Sequence, residues 1–170
     1  HSNFSFSHYD LVVTDSQATA DLYAKRDHIN VATTGIFINH DRVISPEKDP
    51  KYVTFVNPVG AKGLAIFAKL AKVCQTQMPD LRFLVINSRG NFAHTVTMLH
   101  DKDNKDSHPF SANDFPNVDM TGNQKDMRAV FKVTKALLAP SLWYESWGRV
   151  TTEAVLNEIP VVCSNSGGLP

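Results

Sequence analysis

Several things are scarce in this chain of 170 residues. There are two cysteines, Cys74 and Cys163, with no CxxC spacing, which excludes a disulfide scaffold and a thiolate metal knuckle. Two buried thiols in a reducing compartment is the reading this spacing favours. No charge dominates: Lys plus Arg total 17 and Asp plus Glu total 17. A nucleic-acid binder normally carries a basic excess, because phosphate neutralisation supplies most of its affinity. No apolar run approaches the ~18–20 residues that span a bilayer. No signal-peptide pattern opens the sequence, and neither a P-loop nor a GxGxxG run occurs in it. No internal repeat is visible. With 42% hydrophobic residues the chain is far from the composition of a disordered one.

What is present is a regular alternation. From residue 50 onward, short β-branched or aromatic runs are followed by segments of helical period. Strands are expected at Tyr52–Val56, Arg82–Ile86, 118–120, 136–139 and Val161–Cys163. Helices are expected over the stretch holding Leu64, Phe67, Ala68, Ala71 and Cys74, and at 92–100, 125–133 and 149–158. The polar stretch 101–114 reads as a surface loop. Such alternation predicts an α/β fold: a Rossmann-like parallel sheet with helices on both faces. The first fifty residues differ. They offer strands at 10–14 and 30–33, a helix at 16–25, and then a Pro-containing, charge-rich stretch, 41–51, that reads as a linker. The chain begins at His1 and ends at Ser-Gly-Gly-Leu-Pro, which suggests a piece of a longer protein.

In an open parallel sheet, ligands bind beyond the carboxyl ends of the strands. Five loops leave such ends. The first, 57–63, holds Gly60, Lys62 and Gly63. A lysine at a helix start opposes the helix dipole, which makes more sense if an anion lies between them. The second, Ser88-Arg89-Gly90, offers an arginine with bidentate reach. The third, Thr121-Gly122-Asn123, could approach a flat base edge through Gly122. The fourth runs from Ser141 to Gly148, with Glu145 among two tryptophans and a tyrosine, and with Glu153 eight residues further on. Free amides at Trp147, Gly148 and Arg149 would face an anion, and the carboxylates would accept bonds from neighbouring hydroxyls. The fifth, 164–168, is glycine-rich. Each feature also reads as ordinary surface when taken alone; taken together, phosphate donors beside diol acceptors describe a nucleotide sugar. Asp101-Lys102-Asp103 matches a DxD metal motif but sits in a polar loop and reads as solvated. His94 and His100 share no helical face and receive no catalytic role.

Several runs resemble glycosyltransferase family 4: Pro140-Ser141, Glu145-Ser146-Trp147-Gly148-Arg149-Val150, Glu153-Ala154, Ile159-Pro160-Val161-Val162 and Gly167-Gly168. Glu145 and Glu153 match the family's Glu-x7-Glu pair, Lys62-Gly63 its Lys-Gly, and Thr14-Asp15-Ser16 with Gly35-Ile36 the exit from its first domain. The resemblance implies a GT-B fold of two Rossmann-like domains. Residues 1–50 would be the tail of the N-terminal domain and the linker. Residues 51–170 would be a donor-binding domain, truncated at its C-terminus. It further implies a retaining transferase that takes a nucleotide-diphosphate sugar, needs no metal or other cofactor, and serves a saccharide or lipid-linked acceptor. Lys62 would hold the diphosphate, Glu145 the transferred sugar and Glu153 the ribose, with amides around Trp147 to Val150 in support. The family often has Gly-Arg where this chain has Asn57-Pro58, so Arg89 or Arg149 would have to supply the second cation. A sugar-nucleotide epimerase, a phosphorylase or a non-catalytic binding module on the same scaffold are the alternatives. The whole protein is expected in the cytoplasm, without a transmembrane segment, with a peripheral membrane contact compatible with the lipid-linked case.

Overall fold

The structure, a computed structural model, describes residues 6 and 8–170, so the start of the 1–50 segment lies outside the described residues. The element order is β1 (Val13–Thr14), α1 (Gln17–Asp27), β2 (Ala32–Thr33), β3 (Tyr52–Val56), α2 (Leu64–Gln77), β4 (Arg82–Ile86), α3 (Phe92–Thr95), β5 (Val118–Thr121), α4 (Arg128–Val133), β6 (Thr134–Ala139), α5 (Arg149–Leu156) and β7 (Val161–Cys163). Strands β3 to β7 form one parallel sheet in the order β5-β4-β3-β6-β7; β1 and β2 pair separately, also in parallel.

The inner strands β3 and β4 read as largely apolar runs because both of their faces are covered. Alternate residues go to opposite cores. Phe55, Phe83, Val85 and Val118 meet the α2 stripe of Leu64, Phe67, Ala68, Ala71 and Cys74, which the helical period placed correctly. Phe67 is the hub of this core. It stacks on Phe55 with centroids 4.6 Å apart and takes Phe83 and Phe92 edge-on at 5.5 and 5.6 Å. On the other face, Leu84 and Ile86 pack with Val130 of α4, and Leu137 packs with Phe131 and with Ala154 of α5.

The chain adds β4 and β5 on one side of β3, then crosses back to lay β6 and β7 on the other. The order therefore reverses between β3 and β6, and the carboxyl ends of these two strands open a crevice.

Several expectations need correction. The helix expected at 92–100 stops at Thr95 and tightens into a 3-10 turn at Val96–Met98. Thr95, Val96 and Thr97 are consecutive β-branched residues that crowd a helix. The helix expected at 125–133 begins only at Arg128, because the Asp126 side chain accepts the Arg128 N–H at 3.0 Å and holds a turn instead. Strand β6 starts at Thr134, whose hydroxyl lies 2.8 Å from that of Thr54 inside the sheet. Strands β1 and β2 are two residues each, shorter than expected. Cys74 is buried but Cys163 is exposed, since β7 is an edge strand.

The 41–51 stretch is firmly attached to the sheet domain. Asp49 and Lys51 donate backbone N–H groups to Lys132 and Val133 carbonyls at 2.7 and 2.9 Å. Buried Asn157, on the turn after α5, accepts the Ser45 N–H at 2.8 Å and donates to the carbonyls of Val43 and Glu153 at 3.1 and 2.8 Å. Asn157 gave no sequence signal: a buried clamp and a surface turn asparagine look alike in one dimension.

Candidate active site at the switch point

A cleft of about 560 Å³ lies at the reversal between β3 and β6. Its walls come from the end of β3 (Val56, Asn57), the end of β6 (Ala139, Ser141), and the loops carrying Lys62, Arg89 and Glu145. Trp147, Gly148, Arg149 and Val150, where α5 begins, complete it. Of the site residues expected from sequence, Lys62, Arg89, Glu145, Trp147, Gly148, Arg149 and Val150 thus meet in one place. Gly60, Gly63, Gly122 and Glu153 do not line it.

The reasons differ. Gly63 has φ +86, and a Cβ there would lie 2.0 Å from the Pro140 carbonyl oxygen, so it is needed where the two loops touch. At Gly60 and Gly122 a Cβ would meet nothing within 4 Å, and the structure gives no reason for glycine at either. Glu153 is buried behind Arg149, whose Nε donates to Glu153 Oε1 at 2.7 Å.

Two ion pairs organise the charge. Lys62 pairs with Glu145 within the cleft, and their side chains are 31% and 14% exposed. Buried Ser141 donates to the same Glu145 Oε1 at 2.8 Å. Arg149 pairs with Glu153, but with the arginine 71% exposed and the acid 9% exposed. Arg89 makes no ion pair among the described residues, so it is the cleft's one cation without a carboxylate partner.

The backbone of the Glu145 loop is held from behind. The Gly168 N–H donates to the Glu145 carbonyl at 2.8 Å, and a Cβ on Gly167 would lie 2.0 Å from that same oxygen. From the other side, Ser146 donates to Asp15 Oδ2 and the Tyr144 hydroxyl to the Ala18 carbonyl, both at 2.8 Å. The N–H groups of residues 147–150 donate to no partner among the described residues, and α5 has no side-chain cap. These four undonated amides stand at the start of α5, on residues that line the same cleft as Lys62, Arg89 and Arg149. The indole of Trp147 is fixed to α5 by its 2.8 Å bond to Thr152 Oγ1. Ser141 and Asp15 were not singled out individually from sequence, although both lie inside runs that carried the resemblance.

The profile of the glycosyl transferases group 1 family matches residues 37–170. The chain belongs to this family. Its glycosyltransferase group 1 region therefore includes the whole five-stranded sheet and every cleft residue except Asp15 and Ile36. No curated protein matches the chain significantly. Among solved structures it is similar to a Staphylococcus aureus TarM mutant in complex with fondaparinux, alpha-GlcNAc-glycerol and UDP, at TM-score 0.70 and 18% identity, covering 92% of this chain and 30% of that one. It is similar to Anabaena HepE in complex with UDP-glucose, at TM-score 0.68 and 18% identity, covering 93% of this chain and 45% of that one. It is also similar to sucrose-phosphate synthase from Thermosynechococcus elongatus, at TM-score 0.65 and 18% identity, covering 94% and 42%. These likenesses establish the fold as that of the C-terminal GT-B domain. The chain spans less than half the length of each of these structures.

Two sequence features stay outside the site. Asp101, Lys102 and Asp103 are exposed, and Asp101 Oδ1 accepts the Asp103 N–H at 3.0 Å in a local turn. Among the described residues no three His, Cys, Asp or Glu groups are placed to hold a metal ion. No described helix is long and apolar enough to cross a membrane.

Proposed function

We propose that this chain is the donor-binding part of a retaining, family 4-type glycosyltransferase that takes a nucleotide-diphosphate sugar. The observation that carries the reading is the switch-point cleft, where the free amides of residues 147–150 face the same space as Lys62, Arg89 and Glu145. The amides and cations suit a diphosphate; the second oxygen of Glu145 suits a sugar hydroxyl. HepE and TarM are solved with UDP-glucose and with UDP, which makes UDP the first nucleotide to test.

In this reading negative charge grows on the leaving phosphate as the glycosidic bond breaks, and fixed amides and cations stabilise it most directly. Lys62 is then shared: Glu145 holds it in place, and the phosphate competes for it. Glu153 acts on the ribose only if Arg149 swings away, and the high exposure of Arg149 leaves it room to do so. Residues 1–50 correspond to the end of an N-terminal domain and a linker, with Asp15 and Ile36 reaching the cleft from that side. The saccharide or lipid-linked acceptor would be bound largely by that other domain, in a cytoplasmic enzyme, and no metal is needed.

Isothermal calorimetry of the 170-residue chain with UDP and UDP-glucose tests this. Weak binding of both, without sugar transfer, is expected. Failure to bind either removes the donor reading. Transfer by the chain alone overturns the division of labour between the domains.

A further inference from the structure

The loop after β3 turns on Asn57, whose φ of +64 lies in the left-handed region that favours glycine. Its backbone is well used: the N–H donates to the Ile86 carbonyl at 3.0 Å, and the carbonyl accepts from Val59 at 2.8 Å. Its side chain is not. Oδ1 is buried without a hydrogen-bond partner from the protein, the one such side-chain atom among the described residues. Buried carbonyl oxygens are normally paired, and each exception calls for a reason. Asn57 therefore carries two costs, a backbone region whose return is the two turn hydrogen bonds, and an orphan acceptor that no protein group offsets. Local rules broken without structural return point to a functional position.

The surroundings suggest which function. Asn57 lines the cleft together with Lys62 and Arg89. The backbone of its loop has little to give an anion. Pro58 has no N–H, and the amides of Asn57, Val59, Lys62, Gly63 and Leu64 all donate inside the protein. The remaining amides of the loop, those of Gly60 and Ala61, belong to residues that do not line the cleft, so this loop meets an anion there through its side chains. Beside Asn57 stand the Lys62 and Arg89 cations and the Ser88 hydroxyl, and the Asn57 carboxamide itself is tied to nothing, free to turn about its last torsion without losing a bond.

We propose that the Asn57 carboxamide is a ligand-contacting group that donates its N–H to a phosphate oxygen of the bound nucleotide. It does for this loop what a backbone amide does for the loop after β6. The assignment rests on the donor-binding reading above. A phosphate is an acceptor only, so the amide must present Nδ2, and the buried Oδ1 leaves its orphaned position as it turns.

The test uses N57G and N57D in the 170-residue chain, with UDP and UDP-glucose titrated by calorimetry and thermal unfolding recorded without nucleotide. Glycine suits the backbone and deletes the orphan oxygen, so N57G is expected to unfold at the same temperature as wild type or higher. It is expected to bind UDP about tenfold more weakly, the usual loss for one hydrogen bond to a charged group. N57D places a carboxylate against the phosphate and should bind UDP more weakly still. Unchanged UDP affinity in N57G overturns the assignment while leaving the donor reading standing. So does a loss confined to UDP-glucose, which would put the carboxamide on the sugar. A lower unfolding temperature in N57G, or N57D binding as tightly as wild type, also overturns it. If wild type binds neither nucleotide, the donor reading fails and this assignment falls with it.

Discussion

The two loops that meet at the switch point use their backbones in opposite ways. After β3, the amides of Asn57, Val59, Lys62, Gly63 and Leu64 are all donated internally, and the loop offers side chains to the cleft. After β6, the N–H groups of residues 147–150 are undonated, and the carbonyl of Glu145 is gripped by Gly167 and Gly168. One loop is a rigid stalk for Lys62; the other is a donor surface held in shape from behind. The difference teaches where fragility lies. Side-chain changes should matter most in the first loop, and backbone changes in the second.

The largest effect is expected where the two loops touch. Gly63→Ala forces a Cβ to within 2.0 Å of the Pro140 oxygen at φ +86. The combination of overpacking and a left-handed alanine should cost about 3 kcal/mol or more of unfolding free energy in urea titration. Gly167→Ala makes a similar clash with the Glu145 oxygen, but at the edge of the fold. It should weaken UDP binding at least tenfold while destabilising less than Gly63→Ala. Equal loss of stability in both would erase the distinction between stalk and surface.

Next come the two ion pairs. Lys62→Met leaves Glu145, 14% exposed, with Ser141 but no cation, and should cost about 1–2 kcal/mol of stability along with tenfold or more in UDP affinity. Arg149→Met removes an exposed guanidinium but leaves Glu153, 9% exposed, without its ion-pair partner, so it should cost about 1–2 kcal/mol, comparable to Lys62→Met, with a smaller loss of UDP affinity. Titration of both variants with UDP ranks them; the reverse order would show that Arg149, not Lys62, anchors the cleft.

The smallest effect lies away from both loops. The Arg128 guanidinium, bonded to Asp126, holds that carboxyl down to about 2. A carboxyl lowered on folding from an ordinary value of 3.8 stabilises the fold above that value and loses this contribution as pH falls toward 2. Arg128→Ala should slightly weaken the fold at neutral pH, flatten its acid dependence between about pH 4 and 2, and leave UDP affinity unchanged.

Much of this was legible in the sequence. Strands β3, β4 and β7 fall at the residues their β-branched runs indicate, and for β3 and β4, inside the sheet, the run is apolar because both faces are covered. The α2 stripe was readable from spacing alone. Lys62 and Glu145 were both expected, and it is the strand order that brings them together. That order is not local information: the alternation is the same whichever side of β3 the later strands take. Asp15 and Asn157 act through partners far away in the chain, so no window around them shows their role. Asn57 drew notice only as a departure from a family pattern; its orphan oxygen is a property of three-dimensional packing.

The contrast between the loops is tested most directly by backbone hydrogen exchange, residue by residue, with and without UDP. Undonated amides exchange freely until a ligand covers them. Protection on adding UDP should appear at Trp147, Gly148, Arg149 and Val150, while the amides of Asn57, Val59, Lys62 and Gly63 keep the rates they have without it. Protection gained at the loop after β3 and absent from residues 147–150 would contradict the account.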